Sequence, residues 1–258
     1  RACCAGRVVD LVVSPVGVMA VTGHGGLRAA TRTDLAALPL EVAPTLLGGH
    51  LDVEVGGERV IARITEVEAY HGAGTGDIPD PGSHARSGRS ARNATMWGEP
   101  GHLYVYLSHG IHACVNIVCA PEGVAGGVLL RAGEIIDGID VATARRSRSG
   151  RAPAGRDLAR GPGRLGQALG LTSTAHDGID AITGVPQAGA IATLMLREAP
   201  VTLVARGPRV GVAGVAGTDA FPWRFWIPGD PTVSAFRWGR GAGPEAFGTR
   251  TAERAPEA

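Results

Sequence analysis

The sequence predicts a single α+β domain with a curved, largely antiparallel sheet, short helices and a protruding β-hairpin. Three observations support this fold class. The 258 residues are 44% hydrophobic, which is enough to build one sizeable core. Forty glycines and seventeen prolines imply many turns and short elements, which disfavours a helical bundle. Strand-like segments dominate the middle of the chain, so we expect a sheet at the centre of the domain.

The elements of the first half follow from their sequence patterns. The segment DLAALPLEVAPTLLGG predicts a short helix that starts near Asp34 and stops at Gly48-Gly49, with interruptions at its two prolines. The next twenty-one residues, from His50 to Tyr70, read as two strands joined at Gly56-Gly57. Residues 71–102 are rich in Gly and Pro and lack a strong period, which is typical of a functional loop.

The second half contains further strands and one clear helix start. The segment YVYLSHGIHACVNIV, residues 104–118, predicts a hairpin, and GGVLLRAGEI predicts a buried strand. A helix is expected from Pro162, because proline suits the first helical position. Strands are also expected at residues 190–196, 201–205 and 209–212, followed by PWRFWIPGDPTVSAF. The expected domain therefore covers residues 31–238, between an N-terminal extension (1–30) and a disordered tail (239–258).

The charge and cysteine content constrain the partners and the compartment. The net charge of +1 does not indicate a nucleic-acid binder, but every basic residue is Arg and none is Lys. Seven arginines against one acid between residues 145 and 164 form a local basic cluster, which is either a solvated face or a phosphate-binding region. The four cysteines form no C-x-x-C pair, which favours a reducing compartment such as the cytoplasm. No segment has the length of a membrane span.

Two carboxylates lie in the strand-like segment ITEVEAY. Glu66 and Glu68 are two residues apart, so alternation places both on one face of the strand. Carboxylates that work on opposite sides of a glycosidic bond must lie further apart than neighbours on one strand face. One glutamate is therefore the better candidate for a catalytic base and the other for a structural role. The alternative is a pair of surface glutamates on an edge strand.

Arg131 interrupts the apolar segment VLLRAGEI and needs a carboxylate partner or an anionic ligand there. Glu68 is the obvious partner, and a purely structural ion pair is the alternative. A metal site is the main rival for the histidine-rich hairpin, since His84, His102, His109 and His112 are zinc-ligand types. Their spacing matches no established metal motif.

The segment RGPGRLG places Gly-Pro-Gly before the expected helix, with Arg160 and Arg164 beside it. A helix start flanked by arginines is suited to hold a phosphate group. The pattern lacks the G-K-[ST] ending of a P-loop, and the proline has a sufficient structural reason to be there. We therefore expect two roles for this segment: a helix start shaped by the proline, and a phosphate contact at Arg160 and Arg164.

Taken together, six segments resemble the alkyladenine (3-methyladenine) DNA glycosylase family. They are ITEVEAYHG, SHARSGRSARNATMWGEPGHLYVYLSHGIHACVNIV, GVLLRAGEI, LARGPGRLGQALGL, GPRVGV and PWRFWIPGDPTVSAF, in family order over about residues 34–237. The resemblance implies a monomeric base excision repair enzyme that acts on duplex DNA containing damaged purines. It would flip an alkylated or deaminated purine into a pocket and hydrolyse the N-glycosidic bond without metal or cofactor.

The resemblance also implies roles for individual residues. Glu68 would be the general base that activates water, and Arg131 and the carbonyl group of Val210 would help to hold that water. Side chains on three elements would form the base pocket: Tyr70, His84 and Tyr106 would wall the flipped base, and Asn116 would exclude the 2-amino group of guanine. A shared pocket for Tyr106 and Asn116 requires a bulge or a loop longer than two residues at the hairpin corner.

The sequence departs from the family at the hairpin tip. Most members of the resembled family carry a tyrosine where this chain has His109, and the resemblance implies that this tyrosine fills the space left by the flipped nucleotide. We expect His109 to act as the wedge with a smaller stacking area. Two other classes of function stay open at this stage: a non-catalytic DNA-binding module of the same fold, and a metal-dependent hydrolase that uses the histidines.

Overall fold

A computed structural model of the chain describes residues 26–73, 75, 79–147 and 152–243. Its centre is a nine-stranded antiparallel sheet, in which seven strands follow the order β1-β7-β2-β3-β6-β5-β4 and β9 joins β3 to β8. The strands are β1 (Leu27–Ala29), β2 (His50–Val55), β3 (Glu58–His71), β4 (Leu103–Ser108), β5 (His112–Val118), β6 (Gly126–Asp137), β7 (Ala190–Arg197), β8 (Ala205–Gly207) and β9 (Arg224–Trp226). The predicted α+β class and antiparallel sheet are confirmed.

Short helices connect and cover the strands. They are α1 (Arg32–Leu35), α2 (Pro39–Thr45), α3 (Ile139–Arg146), α4 (Pro162–Leu169) and α5 (Ser173–His176), together with 3-10 turns at Ala94–Trp97, Gly155–Asp157 and Gly214–Gly217. The predicted helix at residues 34–47 is two helices, because Leu38 takes an extended conformation ahead of Pro39. The helix that begins at Pro162 and the turn at Gly56-Gly57 are confirmed.

The sheet and helices share one hydrophobic core. Leu51, Ile64 and Leu130 from the sheet and Leu165 and Leu169 from α4 are all buried in it. Helix α4 approaches β5 so closely that a Cβ at Gly166 would lie 2.2 Å from the carbonyl oxygen of Ala113. A glycine at this position is therefore required, and it brings the N-terminus of α4 beside the β4–β5 hairpin.

Two strand predictions are wrong. Residues 201–204 are irregular, and the strand expected at 201–205 is displaced to β8, which begins at Ala205. Residues 209–212 form an irregular turn, because Arg209 points into the interior and Gly211 takes a left-handed conformation. Neither residues 201–204 nor residues 209–212 pair with a described strand.

The segment boundaries expected from the sequence fall partly outside the described residues. Within the expected N-terminal extension, residues 27–29 form β1 and pair with β7, so the sheet begins before residue 31. At the other end, Ala242 is buried and the residues after 243 lie outside the described part of the chain. Among the described residues, no helix is long and apolar enough to span a bilayer.

Strand β3 is the element that positions the site. Its first half pairs with β2, and its residues Glu66–Glu68 pair with β9 on one side and β6 on the other. Both glutamates consequently lie in the middle of the sheet, fully buried. The alternative of two surface glutamates on an edge strand is therefore wrong.

Candidate active site

A cavity of about 1120 Å³ opens beside the centre of the sheet. Its volume is slightly larger than the roughly 300–1,000 Å³ of small-molecule pockets, so it has room for a nucleobase with its sugar. The strands β3, β4, β5 and β6, the start of α4 and the turn after Arg209 all contribute to its walls. All ten residues expected to form the site line it: Glu68, Tyr70, His84, Tyr106, His109, Asn116, Arg131, Arg160, Arg164 and Val210.

Glu68 is the single carboxylate among the described residues that line this cavity. Its Oε1 accepts a hydrogen bond of 2.7 Å from the backbone N–H of Val210, and its Oε2 accepts one of 2.8 Å from the hydroxyl of Tyr70. Burial, followed by the charge of Glu68, raises the pKa of Tyr70 well above its usual value, so this hydroxyl remains a donor. The carboxylate is thus held in one orientation by groups from two elements.

Arg131 supplies the positive charge beside Glu68. Its Nη1 lies 3.6 Å from Oε1 of Glu68. Burial opposes the charge of Arg131, but the charges of Glu68 and Glu66 nevertheless raise the pKa of Arg131. The arginine is an extra residue on β6, since Ala132 pairs with Glu66 and Leu130 pairs with Val67. This bulge directs the guanidinium group into the space between the two glutamates.

Two further buried ion pairs flank this centre. Arg224 donates to Glu66 at 2.6 Å, and Arg209 makes a bidentate pair with Asp80 at 2.7 and 2.8 Å. Together with Glu68 and Arg131, they form a buried group of three carboxylates and three guanidinium groups. The formal charges balance, so each buried ion has a partner. The guanidinium carbon of Arg209 also lies 4.5 Å from the ring centroid of Tyr70.

Aromatic side chains cover another wall of the cavity. Tyr104 and Tyr106 stack with ring centroids 5.5 Å apart, and the ring of His84 stands at right angles to Tyr106 at 4.5 Å. The hydroxyl of Tyr104 lies 3.2 Å from Nδ1 of His84. Burial, together with Arg92 and Arg86, lowers the pKa of His84, so this ring is neutral at pH 7. The wall therefore presents uncharged rings to a ligand.

The hairpin corner has the geometry that a shared pocket requires. Ser108 pairs with His112 across a three-residue loop, which makes Tyr104 pair with Asn116 and Tyr106 with Cys114. Residues that pair directly lie on the same face, so Tyr106 and Asn116 face the same cavity. The amide of Asn116 donates to the carbonyl oxygen of Tyr104 at 3.0 Å, which fixes its orientation.

The mouth of the cavity is basic. Five arginines line it: Arg86, Arg146, Arg160, Arg164 and Arg237. Arg160 and Arg164 share Asp157, at 3.6 and 3.9 Å. Such distances are long for ion pairs and leave most of the donor capacity of both side chains free for a ligand. His109 and His112 complete this side of the mouth.

Comparison with known proteins identifies the family of the chain. Residues 33–231 match the family model described as Methylpurine-DNA glycosylase (MPG). The chain belongs to this family. It is therefore a DNA glycosylase, a hydrolase of N-glycosyl bonds that acts on DNA in repair.

Several relatives carry the provisional name 3-methyladenine DNA glycosylase. One from Leifsonia xyli is 48% identical over 207 residues, which cover 80% of this chain and 92% of the relative. One from Nocardia farcinica is 46% identical over 224 residues, with 86% and 96% covered. One from Mycobacterium tuberculosis is 45% identical over 204 residues, with 79% and 92% covered. The similarity thus extends over nearly the full length of these relatives.

Sequence reasoning missed several parts of the site of this glycosylase. Ser234 and Leu129 line the cavity, and the Arg209–Asp80 pair supports Tyr70. The two partners of that pair are 129 positions apart, and no local pattern connects them. Cys114 and His112 also line the cavity. The described residues contain no group of three or more His, Cys, Asp or Glu side chains arranged to hold a metal ion.

Proposed function

We propose that this chain is a monofunctional glycosylase that flips alkylated or deaminated purines out of duplex DNA and hydrolyses the N-glycosidic bond with a water activated by Glu68. One observation carries the proposal: a fully buried, oriented carboxylate faces a large cavity with an arginine 3.6 Å away. A buried carboxylate in such a place is costly unless it is used.

The chemistry fits the groups around Glu68. A carboxylate there takes a proton from water as the water attacks the anomeric carbon, and its charge stabilises the oxocarbenium-like sugar. Arg131 orients that water, and the backbone carbonyl of Val210 is a further contact for it. Alkylated purines are cationic and leave readily, so the mechanism needs no strong general acid.

The composition is consistent with a monofunctional enzyme. The sequence contains no lysine, the side chain that most often forms a Schiff base with an abasic sugar. We therefore expect hydrolysis by water, with an intact abasic strand as the product.

The walls of the cavity support recognition of an electron-poor base. Tyr70, Tyr106 and His84 offer aromatic surfaces, and aromatic faces attract cationic rings. We assign Asn116, whose amide donates to the carbonyl oxygen of Tyr104, to exclusion of the 2-amino group of an undamaged guanine. We assign His109 as the wedge that fills the gap in the duplex, and Arg160 and Arg164 as contacts to the DNA backbone.

The proposal also covers the extent of the domain, its oligomeric state and its location in the cell. The glycosylase domain comprises the expected residues 31–238 together with β1, and it acts as a monomer in the cytoplasm, in association with the nucleoid. A single cavity with its own catalytic carboxylate needs no second subunit to complete it.

Single-turnover incubation with duplexes that carry hypoxanthine, 1,N6-ethenoadenine or 3-methyladenine tests the proposal. Alkaline cleavage after the reaction should reveal abasic sites with the wild-type protein. Glu68→Gln should bind the same duplexes and leave them intact, because the amide cannot accept a proton from water. Glu134→Gln is the matched control, since Glu134 pairs with Arg63 on the outside of the sheet.

Robust excision by Glu68→Gln would overturn the mechanism. Binding of damaged duplexes without excision by the wild-type protein would favour the non-catalytic module instead. Loss of wild-type excision on addition of EDTA would favour the metal-dependent hydrolase.

A further inference from the structure

Glu66 lies directly beneath the cavity without lining it. Besides Arg224, it accepts hydrogen bonds from the backbone N–H and the hydroxyl of Ser234, at 2.7 and 3.0 Å. Its Oε1 also lies 3.2 Å from Nε of Arg131. This carboxylate is saturated with donors, so its own reactivity is low and its effect on the site must pass through its partners.

Arg131 is the partner that reaches the cavity. Its Nε donates to the hydroxyl of Ser234 at 3.0 Å, and that hydroxyl donates onward to Glu66. Its Nη1 faces Glu68 at 3.6 Å. The guanidinium group is planar, so fixing Nε at one edge also fixes where the Nη atoms point. Glu66 and Ser234 therefore determine the position of the charge that faces Glu68.

The charge of Glu66 matters as well as its hydrogen bonds. The buried group of three carboxylates and three guanidinium groups is neutral only while Glu66 is ionised. Without that negative charge, Arg131 and Arg224 would attract Glu68 more strongly. A base that is held more tightly in its ionised form is a weaker proton acceptor.

We propose that Glu66 is a positioning residue of the glycosylase. It holds the guanidinium group of Arg131 beside Glu68 and balances the charge of Arg131, so that Glu68 keeps its strength as a base. This inference rests on the proposed function of Glu68. The two glutamates of ITEVEAY then have separate duties: Glu68 acts on the water, and Glu66 acts on the arginine.

The test compares Glu66→Gln with Glu66→Asp, using a duplex that carries 7-methylguanine. This leaving group is already cationic and needs no protonation. The fall in rate at acidic pH therefore reflects protonation of the catalytic base. Glu66→Gln should lower the single-turnover rate at least about tenfold, because misplaced catalytic groups cost up to about 100-fold. The pH of half-maximal rate on the acid side should fall, because a like charge near Glu68 is removed. Affinity for a duplex with a stable abasic-site analogue should not change.

Glu66→Asp conserves the negative charge, so it separates the effect of the position of Arg131 from the effect of the charge. Glu66→Asp should keep the wild-type pH midpoint while the rate falls, because the shorter carboxylate holds Arg131 less well. Glu134→Gln should match the wild type in rate and midpoint. A folded Glu66→Gln protein with the wild-type rate, or with a reduced rate and an unmoved midpoint, would overturn the inference.

Three further outcomes are also decisive. If Glu66→Gln does not fold, Glu66→Asp and Ser234→Ala replace it: slower excision at wild-type affinity in both supports the inference, and wild-type rates in both overturn it. If the wild type excises no damaged purine, or if Glu68→Gln still cuts, the proposed function itself fails. If Glu68→Gln is inactive but Glu66→Gln behaves as wild type, only the role of Glu66 fails.

Discussion

At the scale of single residues, the tip of the β4–β5 hairpin is the place where the sequence departs from the resembled family. His109 has a positive φ of 50° and its Nδ1 lies 3.0 Å from the hydroxyl of Ser108. Ile111, two residues further on, is 72% exposed and does not line the cavity. Both side chains are therefore available to a bound duplex, but of the two only His109 lines the cavity.

This arrangement predicts which residue is the wedge. His109→Ala should weaken binding to a duplex with an abasic-site analogue by about 1 kcal/mol or more, the lower end of the range for one aromatic–base stack. His109→Tyr should restore or exceed wild-type affinity, because tyrosine offers more stacking area. Ile111→Ala is the comparison at the same tip. A larger loss in Ile111→Ala than in His109→Ala, measured by fluorescence anisotropy, would transfer the wedge role to Ile111.

At the scale of elements, the loop length of the β4–β5 hairpin decides which side chains share the cavity. The three-residue loop contains two consecutive left-handed residues, His109 and Gly110. A side chain at Gly110 meets no neighbouring atom within 4 Å, so any effect of a substitution there comes from the backbone. Gly57, in the turn between β2 and β3, has the same left-handed backbone and open surroundings, far from the cavity.

These two glycines form a matched pair for a test of the hairpin. Gly110→Ala and Gly57→Ala should each cost about 1–2 kcal/mol of stability, because an L-residue is strained in this conformation. Only Gly110→Ala should also slow excision of hypoxanthine, since relief of the strain moves His109. Thermal unfolding and single-turnover rates together check this. Equal rates in the two variants would show that the exact shape of the tip is unimportant.

The elements also show how far sequence patterns reach. Alternation and turn residues located β2, β3, β6 and β7 because local chemistry dominates there. The strand expected at residues 209–212 is absent, because Arg209 turns inward to pair with the distant Asp80. Glu68 and Arg131 were predicted together, but the bulge that brings them into one cavity depends on strand register. Register is a property of the assembled sheet, and no short segment encodes it.

At the scale of the whole molecule, histidines with lowered pKa values link stability to pH. Desolvation of the ring lowers the pKa of His50, His71, His84 and His176, of which His71 and His176 are buried. Below the ordinary histidine pKa of about 6.5, the unfolded chain therefore binds more protons than the folded protein. The stability is fully present above that pH and is lost as the pH falls. Burial raises the pKa of Asp180, but hydrogen bonds from Arg32, Ile182 and Thr183 outweigh burial and lower this pKa to about 2. Protonation of Asp180 therefore destabilises the fold only at more acidic pH.

The free energy of unfolding should therefore fall between about pH 7.5 and about pH 5.5, by an amount on the order of 1 kcal/mol. Urea titrations at the two pH values measure it. His176→Gln should flatten the dependence, because Nδ1 of His176 accepts a 2.9 Å hydrogen bond from the N–H of Thr172 that a protonated ring cannot accept and a glutamine oxygen can. His112→Gln should leave the dependence unchanged, since His112 lies exposed at the hairpin tip. A wild-type free energy of unfolding that does not change over this interval would contradict the prediction.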